Sequence, residues 1–135
     1  MYRRSINPSD LFESTRYGFS QAVATSGGST VYVSGQVGWN ADGQLADGGL
    51  AGQTARAFDN LATVLEDAGG SLLDAVSLRI YVVEDAADDL APITQALLSR
   101  FPKDRQPATT WLAVSGLAGE GLVIEIEAVA VIASD

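Results

Sequence analysis

The feature that most constrains this chain is its last apolar stretch, residues 122–133, which alternates like a β-strand but is apolar on both sides. A strand of this kind needs a packed layer against each face, as in the interior of a buried sheet. We therefore expect both of its faces to be covered. One face carries Leu122, Ile124, Ile126, Ala128, Ala130 and Ile132, and the other carries Val123, Val129 and Val131.

Two segments have the periodicity of an amphipathic helix. Residues 50–68 form an apolar stripe that includes Ala57 and Leu61. A second helix is predicted over residues 85–101, because Asp85 and the acids that follow it favour the positive end of a helix dipole. These two helices are the only material available to cover a sheet.

The remaining patterned segments predict strands. Together with the helices they give the order β-β-α-β-α-β-β, an α+β fold with one mixed sheet and two helices on one face. The glycine-containing turn at residues 26–29 predicts that the first two strands form a hairpin. We find no linker or repeat, so residues 1–135 are expected to form a single domain. The predicted strands are residues 21–25, 30–34, 76–83, 108–114 and 122–133, with a possible additional strand at residues 1–6.

Two helices on one face leave the other face of the sheet bare. Because the final strand is apolar on that face too, burial requires either a second copy of the chain or a sheet closed on itself. The pattern favours self-association through the open sheet face.

The residue inventory excludes several kinds of chemistry. The chain has no Cys and no His, which excludes thiolate nucleophiles, Cys/His metal sites and imidazole bases. Acid–base chemistry is left to carboxylates, Tyr, the single Lys103 or water, and neither a metal nor an organic cofactor is expected. A net charge of -9 disfavours nucleic-acid binding, which depends on cations that neutralise phosphates. There is no apolar run of about 20 residues to span a bilayer and no apolar N-terminal signal, so we expect a cytoplasmic protein.

Five segments, in order and spread along nearly the whole chain, resemble the Rid (reactive intermediate deaminase) family, also called the YjgF/RidA or endoribonuclease L-PSP group. The resemblance implies a chorismate-mutase-like α+β fold. It also implies a homotrimer with small-molecule pockets in the clefts between subunits. The segments are Tyr17-Gly18-Phe19-Ser20-Gln21-Ala22-Val23, Val31-Tyr32-Val33-Ser34-Gly35-Gln36, Gln53 with Ala57-Phe58-Asp59-Asn60-Leu61, Gly69-Gly70, and Ile124-Glu125-Ile126-Glu127-Ala128.

The family's best-known activity is hydrolysis of enamines and imines to a ketone or keto acid plus ammonia. In members with that activity, an Arg after the Pro-Ala of the fifth strand pairs with the substrate carboxylate, but here that position is Thr109. The Tyr expected in the first motif is Phe19, whereas Ser34 and Glu125 match. The resemblance therefore implies a pocket around these four residues that lacks the arginine.

Glu125 is the candidate for acid–base work at this site. In an imine hydrolase its carboxylate would hold the attacking water or pass a proton to the leaving nitrogen. The alternative is that Glu125 and Glu127 share a strand face and pair with Arg79, and we expect Arg79–Glu127 as a structural ion pair. Thr109 is similarly open. The resemblance implies a catalytic and substrate-binding position, where its hydroxyl would donate or accept one hydrogen bond, but threonine is also an ordinary strand residue.

Three further residues are candidate ligand contacts. Arg105 stands four residues before Thr109 and would replace the missing cation if it entered the cleft; otherwise it is a solvated loop charge. Trp39 and Trp111 would make the cleft more aromatic, together with Phe19, although a loop anchor and a core aromatic explain them equally well. If they do line the cleft, they predict a less charged or larger, partly aromatic ligand and poor turnover of small imino acids.

Three functions are compatible with these residues. The first is hydrolysis of an imine or enamine in a pocket between subunits. The second is a non-catalytic binder of small metabolites that uses the same pocket. The third, suggested by the family's older name, is a ribonuclease, which the acidic charge of the chain disfavours.

Overall fold

A computed structural model describes residues 1–134, and within them the chain forms six β-strands and two α-helices. The predicted α+β class is confirmed, and the additional strand at the N-terminus is present. In chain order the elements are β1 (Tyr2–Ile6), β2 (Ala22–Ser26), β3 (Ser29–Val37), α1 (Gly49–Asp67), β4 (Ala75–Val83), α2 (Ala91–Arg100), β5 (Ala108–Val114) and β6 (Ile124–Ile132).

Four of the strands form a mixed sheet in the order β3-β6-β4-β5. β6 is antiparallel to both of its neighbours, β3 and β4, whereas β4 and β5 are parallel. β6, the last apolar strand, therefore lies in the interior of the sheet, with a hydrogen-bonded strand on each side. β5 and β3 are the two edge strands.

One face of this sheet packs against both helices. Ile80 of β4 and Ile126 of β6 are fully buried against the apolar stripe of α1, which includes Phe58 and Leu61. Phe101, directly after α2, meets Phe58 edge to face with ring centroids 6.2 Å apart, a favourable aromatic geometry. Within residues 1–134 no layer covers most of the second face, and its side chains are partly or fully exposed except for Val131, which is 5% exposed.

β1 and β2 form a separate two-stranded antiparallel ribbon. The chain reverses as predicted between β2 and β3, where Gly27 and Gly28 have φ values of 73° and 75°, but the predicted hairpin pairing is wrong. β2 pairs along its length with β1, from Ile6 opposite Ala22 to Tyr2 opposite Ser26. The turn therefore joins strands that belong to different sheets.

The ribbon is fixed at the end of the sheet where β4 and β5 begin. The Arg3 guanidinium donates hydrogen bonds to the carbonyls of Leu73 (2.8 Å) and Arg105 (2.9 Å). Ser20 N–H donates to the Pro107 carbonyl at 2.9 Å. Burial, together with the nearby charge of Arg105, lowers the pKa of Arg3 to about 10.

The second helix begins later than the sequence pattern predicts. The acidic segment Glu84–Ala86 forms a single 3-10 turn, and α2 starts at Ala91. Asp89 Oδ1 accepts a hydrogen bond from Ala91 N–H at 3.0 Å, and a proline occupies the first turn of the helix. Because proline is well suited to a first turn, it sets the start of the helix, and the acids precede it. Neither helix in residues 1–134 is long and apolar enough to cross a membrane.

Candidate functional site

Three polar side chains lie together on the open face of the sheet. Glu125 is the cross-strand partner of Tyr81, and Glu127, two residues further along β6, points to the same face. All three are half-buried. They line a depression of about 260 Å³, called the acidic depression below, whose other lining residues are Val114, Gly116 and Leu117.

The Glu125 carboxylate lies directly over the backbone of β3. The register of β3 against β6 shifts by one residue between Val33 and Gln36, so that Ser34 and Gly35 form a bulge. A Cβ atom at Gly35 would overlap Oε2 of Glu125 and lie 2.6 Å from its Cδ. Glycine at this position therefore makes room for the carboxylate, and Ser34 stands exposed beside it.

Glu127 accepts a hydrogen bond from the Tyr81 hydroxyl. This hydrogen bond, with a smaller contribution from burial, raises the pKa of Tyr81 above its ordinary value, so the phenol is a neutral donor at physiological pH. The predicted ion pair between Arg79 and Glu127 is not formed, although the two residues are cross-strand neighbours. Arg79 is exposed and takes part in no ion pair among the described residues; the Glu127 carboxylate is bonded to Tyr81 instead.

An aromatic cluster surrounds Thr109 near the start of β5. The indole Nε1–H of Trp111 donates a hydrogen bond to Thr109 Oγ1 at 2.9 Å. The Phe19 ring lies 5.8 Å from the Trp111 ring, centroid to centroid, and is tilted by 52°. Trp111 also packs against the hydrophobic core. We call Phe19, Thr109 and Trp111 the aromatic wall.

The acidic depression and the aromatic wall lie on opposite faces of the sheet. Thr109 is paired with Leu78, which is buried beneath the helices, and side chains paired in this way point to the same face. Glu125 is paired with Tyr81 on the open face. A single chain therefore brings Ser34 together with Glu125, and Phe19 together with Thr109, but it does not bring the two pairs together.

The hypothesis that Arg105 replaces the missing cation receives no support from the structure. Its guanidinium donates to the Leu73 carbonyl at 2.8 Å and forms an ion pair with Asp74 at 3.3 Å. Its backbone carbonyl accepts from Arg3. Arg105 thus joins the N-terminal ribbon to the start of β4.

Trp39 lies at the opposite end of the sheet from Thr109, because it follows the end of β3 whereas Thr109 is near the start of β5. Its ring edge packs over Gly119, where an added Cβ would be 2.7 Å from the indole. Its carbonyl accepts a hydrogen bond from Asn60 Nδ2 at 2.8 Å. These contacts are those of a loop anchor, and the structure does not bring Trp39 together with the aromatic wall.

Gln53 closes the loops at the end of the sheet that holds Glu125. Its side-chain nitrogen donates to the Gly121 carbonyl at 2.9 Å, and its side-chain oxygen accepts from Val123 N–H at 3.0 Å. Gln53 is 4% exposed, so these two bonds satisfy a buried amide. They fix the chain directly before β6 and so hold Glu125 in register.

The family model described as Endoribonuclease L-PSP matches residues 13–132 of this chain. The chain belongs to the Rid family. A 2-iminobutanoate/2-iminopropanoate deaminase of Homo sapiens is 32% identical to it over 114 residues, which cover 84% of this chain and 79% of that protein. A RutC family protein of Pyrococcus abyssi is 31% identical over 113 residues, covering 83% and 84% of the two chains.

Solved structures of Rid proteins share the fold of this Rid chain. A Rid family protein of unknown function from Yersinia pestis superposes with a TM-score of 0.87 at 40% identity, covering 98% of this chain and all of that one. RidA from an Antarctic Psychrobacter superposes with a TM-score of 0.69 at 31% identity, covering 84% and 88%. The chorismate-mutase-like α+β fold is thereby confirmed.

Sequence reasoning about this Rid chain missed two residues of the site. Tyr81 was not among the candidate site residues, although it lies opposite Glu125 and lines the acidic depression. Gly35 was only part of a motif. A glycine inside an otherwise β-branched and aromatic strand is the signal that could have revealed it, because such glycines mark bulges and close approaches.

Proposed function

We propose that this Rid protein hydrolyses an imine or enamine to a carbonyl compound and ammonia, and that Glu125 acts on the attacking water. The observation that carries the proposal is the position of Glu125, half-buried in the acidic depression and held over Gly35. The 32% identity to a protein named 2-iminobutanoate/2-iminopropanoate deaminase supports the same reaction class.

The chemistry requires one group that accepts and returns a proton. Water adds its oxygen to the imine carbon while the Glu125 carboxylate takes up its proton. That proton passes to the nitrogen to give a carbinolamine. Glu125 then takes the proton of the new hydroxyl group and passes it to the amino nitrogen, so that the carbon–nitrogen bond breaks and ammonia leaves as the carbonyl forms. Tyr81 keeps the neighbouring Glu127 occupied as a hydrogen-bond acceptor, which leaves Glu125 as the carboxylate available for this step.

We further propose that the complete pocket forms between copies of the chain arranged as a homotrimer. The support for this is geometric, because Thr109 and Glu125 lie on opposite faces of one sheet. The β5 edge of one copy, with its aromatic wall, would lie over the open face of the next copy, which carries Ser34 and Glu125. Within residues 1–134 most of the open face is uncovered, and Tyr32, on the edge strand β3, is 81% exposed.

The substrate is proposed to differ from a small imino acid. A neutral hydroxyl at position 109 does not replace a guanidinium that holds a carboxylate in two parallel bonds. Losing a hydrogen bond to a charged group costs about 1.5–3 kcal/mol, roughly tenfold to more than a hundredfold in binding. Small imino acids should accordingly be poor substrates.

Ammonia release from imines generated in situ tests the proposal. Glu125→Gln removes the proton acceptor while keeping its size, so it should lower the rate above the spontaneous background by about 100-fold or more. Glu66→Gln is the matched control, because Glu66 is exposed on α1, which packs against the opposite face of the sheet. Equal rates in both variants would refute the role of Glu125. Ligand binding without acceleration in the wild type would identify a non-catalytic binder instead.

A further inference from the structure

Trp111 is held in one orientation by its neighbour on the same strand face. The indole has a single donor, Nε1–H, and that donor is used in the 2.9 Å hydrogen bond to Thr109 Oγ1. A ligand that reaches Trp111 therefore meets an aromatic ring surface with no free N–H group. The same bond fixes the Thr109 hydroxyl at the position where active relatives are expected to carry a guanidinium.

The surroundings of Trp111 are apolar. The Phe19 ring packs beside it at 5.8 Å. Trp111 also lines a cavity of about 50 Å³, whose other lining side chains are all apolar: Val82, Ala87, Leu90, Leu112 and Ala113. A cavity of this size holds a small apolar group, and its side chains provide no hydrogen-bond partner for a water molecule.

A carboxylate placed against this wall would lose its water without gaining a cation. Arg105, the arginine closest to Thr109 in the sequence, is engaged with Asp74 and the Leu73 carbonyl. Burying an unpaired carboxylate against aromatic rings is costly, whereas burying an apolar group there is favourable.

We infer that Trp111, positioned by Thr109, is the specificity-determining residue of the proposed site, and that it selects imines whose carbon carries an apolar or aromatic group in place of a carboxylate. This inference rests on the proposed function, of which it names the substrate class. On this inference, the site lacks the guanidinium that would bind a carboxylate and instead presents the indole ring of Trp111 to an apolar group.

Two imines that differ by one carboxylate provide the direct test. Oxidation of benzylamine and of phenylglycine by flavin oxidases in the assay generates benzaldimine and 2-imino-2-phenylacetate. Hydrolysis of each consumes one water and releases ammonia, giving benzaldehyde or phenylglyoxylate. The acceleration over the spontaneous rate should be about tenfold or more larger for benzaldimine. Equal acceleration, or preference for the carboxylate, would overturn the inference while leaving the proposed function intact, provided that Glu125→Gln abolishes the acceleration.

A binding measurement tests the proposed ligand selection by Trp111 independently of imine hydrolysis. Benzyl alcohol and mandelate are stable compounds that also differ by one carboxylate. The chain has two tryptophans, so protein labelled with ¹⁵N-tryptophan gives two indole signals, and Trp39→Phe identifies that of Trp111. Benzyl alcohol should shift the Trp111 signal at concentrations about tenfold lower than mandelate. If this selectivity is found but neither imine is hydrolysed, the proposed function fails and the ligand selection stands. If neither compound shifts the Trp111 signal, the inference fails.

Variants at Thr109 and Trp111 test whether Trp111 determines substrate selectivity or has only a structural role. Trp111→Leu should raise KM for benzaldimine more than it lowers kcat, because uniform binding to the ring is lost. The double variant Thr109→Arg with Trp111→Leu should shift the preference between the two imines toward the carboxylate by about tenfold or more. Thr109→Arg alone should shift it less, since the indole remains. A purely structural role would lower the rates with both imines in the same proportion.

Discussion

The two faces of the four-stranded sheet are built from the same alternating strands but have opposite character. The face beneath the helices consists of side chains such as Leu78 and Ile80, at most 1% exposed. The open face carries Arg79, Glu125 and Glu127 on the same strands, all exposed or half-buried. One face therefore supplies the apolar burial that stabilises the fold, and the other retains the polar side chains that a fold alone does not require.

The difference also explains why the open face tells us more about function than the face beneath the helices. A carboxylate held over a glycine in a bulged strand contributes little to packing, and a bulge weakens the regular ladder. Such features are typical of functional sites, where local rules are broken. The predictions below use this contrast between the two faces, beginning with the largest effect.

Truncation on the covered face should be far more costly than truncation on the open face. Phe58→Ala removes a ring that is fully buried against Phe101, and it should lower the free energy of unfolding by about 3–5 kcal/mol. Tyr32→Ala, at a protein concentration low enough to separate copies, should change it by about 0.5 kcal/mol or less. Urea denaturation measures both. Similar losses in the two variants would mean that the open face is covered within one chain.

A side chain at Gly35 should disturb the site more than the fold. In Gly35→Ala the new Cβ collides with the Glu125 carboxylate, so that side chain must move away. We expect a loss of about 1–3 kcal/mol in stability and a much larger proportional loss of imine hydrolysis. Gly69→Ala is a suitable control, because its added Cβ meets no atom within 4 Å while its φ of 94° strains an alanine; it should cost stability without touching Glu125. Full activity in Gly35→Ala would contradict the placement of Glu125.

Removing the charge of Glu127 should lower the pKa of Tyr81. The hydrogen bond to Glu127 raises that pKa above 10 in the folded protein, so Glu127→Gln should move it back toward 10. The difference in phenolate absorbance between each protein and its Tyr81→Phe derivative isolates this group. Because the folded pKa is raised, the stability contributed by the hydrogen bond is fully present below pH 10 and is lost as the pH rises through the folded value. An unchanged Tyr81 titration in Glu127→Gln would contradict the assignment.

Local periodicity predicted the strands and helices that bury one side along their whole length. The alternation of Leu78, Ile80 and Val82 located β4, and the stripe through Ala57 and Leu61 located α1, because each pattern reports directly on which side is buried. Pairing was less predictable. The glycines at the turn after β2 indicated a reversal, but the partner of β2 is set by the distant β1 and its arginine anchor.

The site could be predicted only in part from the sequence, because its geometry also depends on how distant strands pair. The resemblance located Glu125 and Thr109, but their placement on opposite faces depends on strand register, which no single motif encodes. The partner of Glu127 was mistaken because charge alone favours its direct cross-strand neighbour Arg79, whereas the structure shows a hydrogen bond from the diagonal neighbour Tyr81.

The central claim is that the aromatic wall of one copy completes the site around Glu125 of another. The most direct test mixes two variants that should each be inactive alone, by unfolding and refolding them together in equal amounts. Glu125→Gln removes the proton acceptor, and Thr109→Asp places an unpaired carboxylate in the aromatic wall. If sites form between copies in a closed ring, about a quarter of them will contain both intact partners, and hydrolysis should return to about that fraction of the wild-type rate. Activity no higher than that of the separate variants would show that the two groups of residues do not share a site across copies.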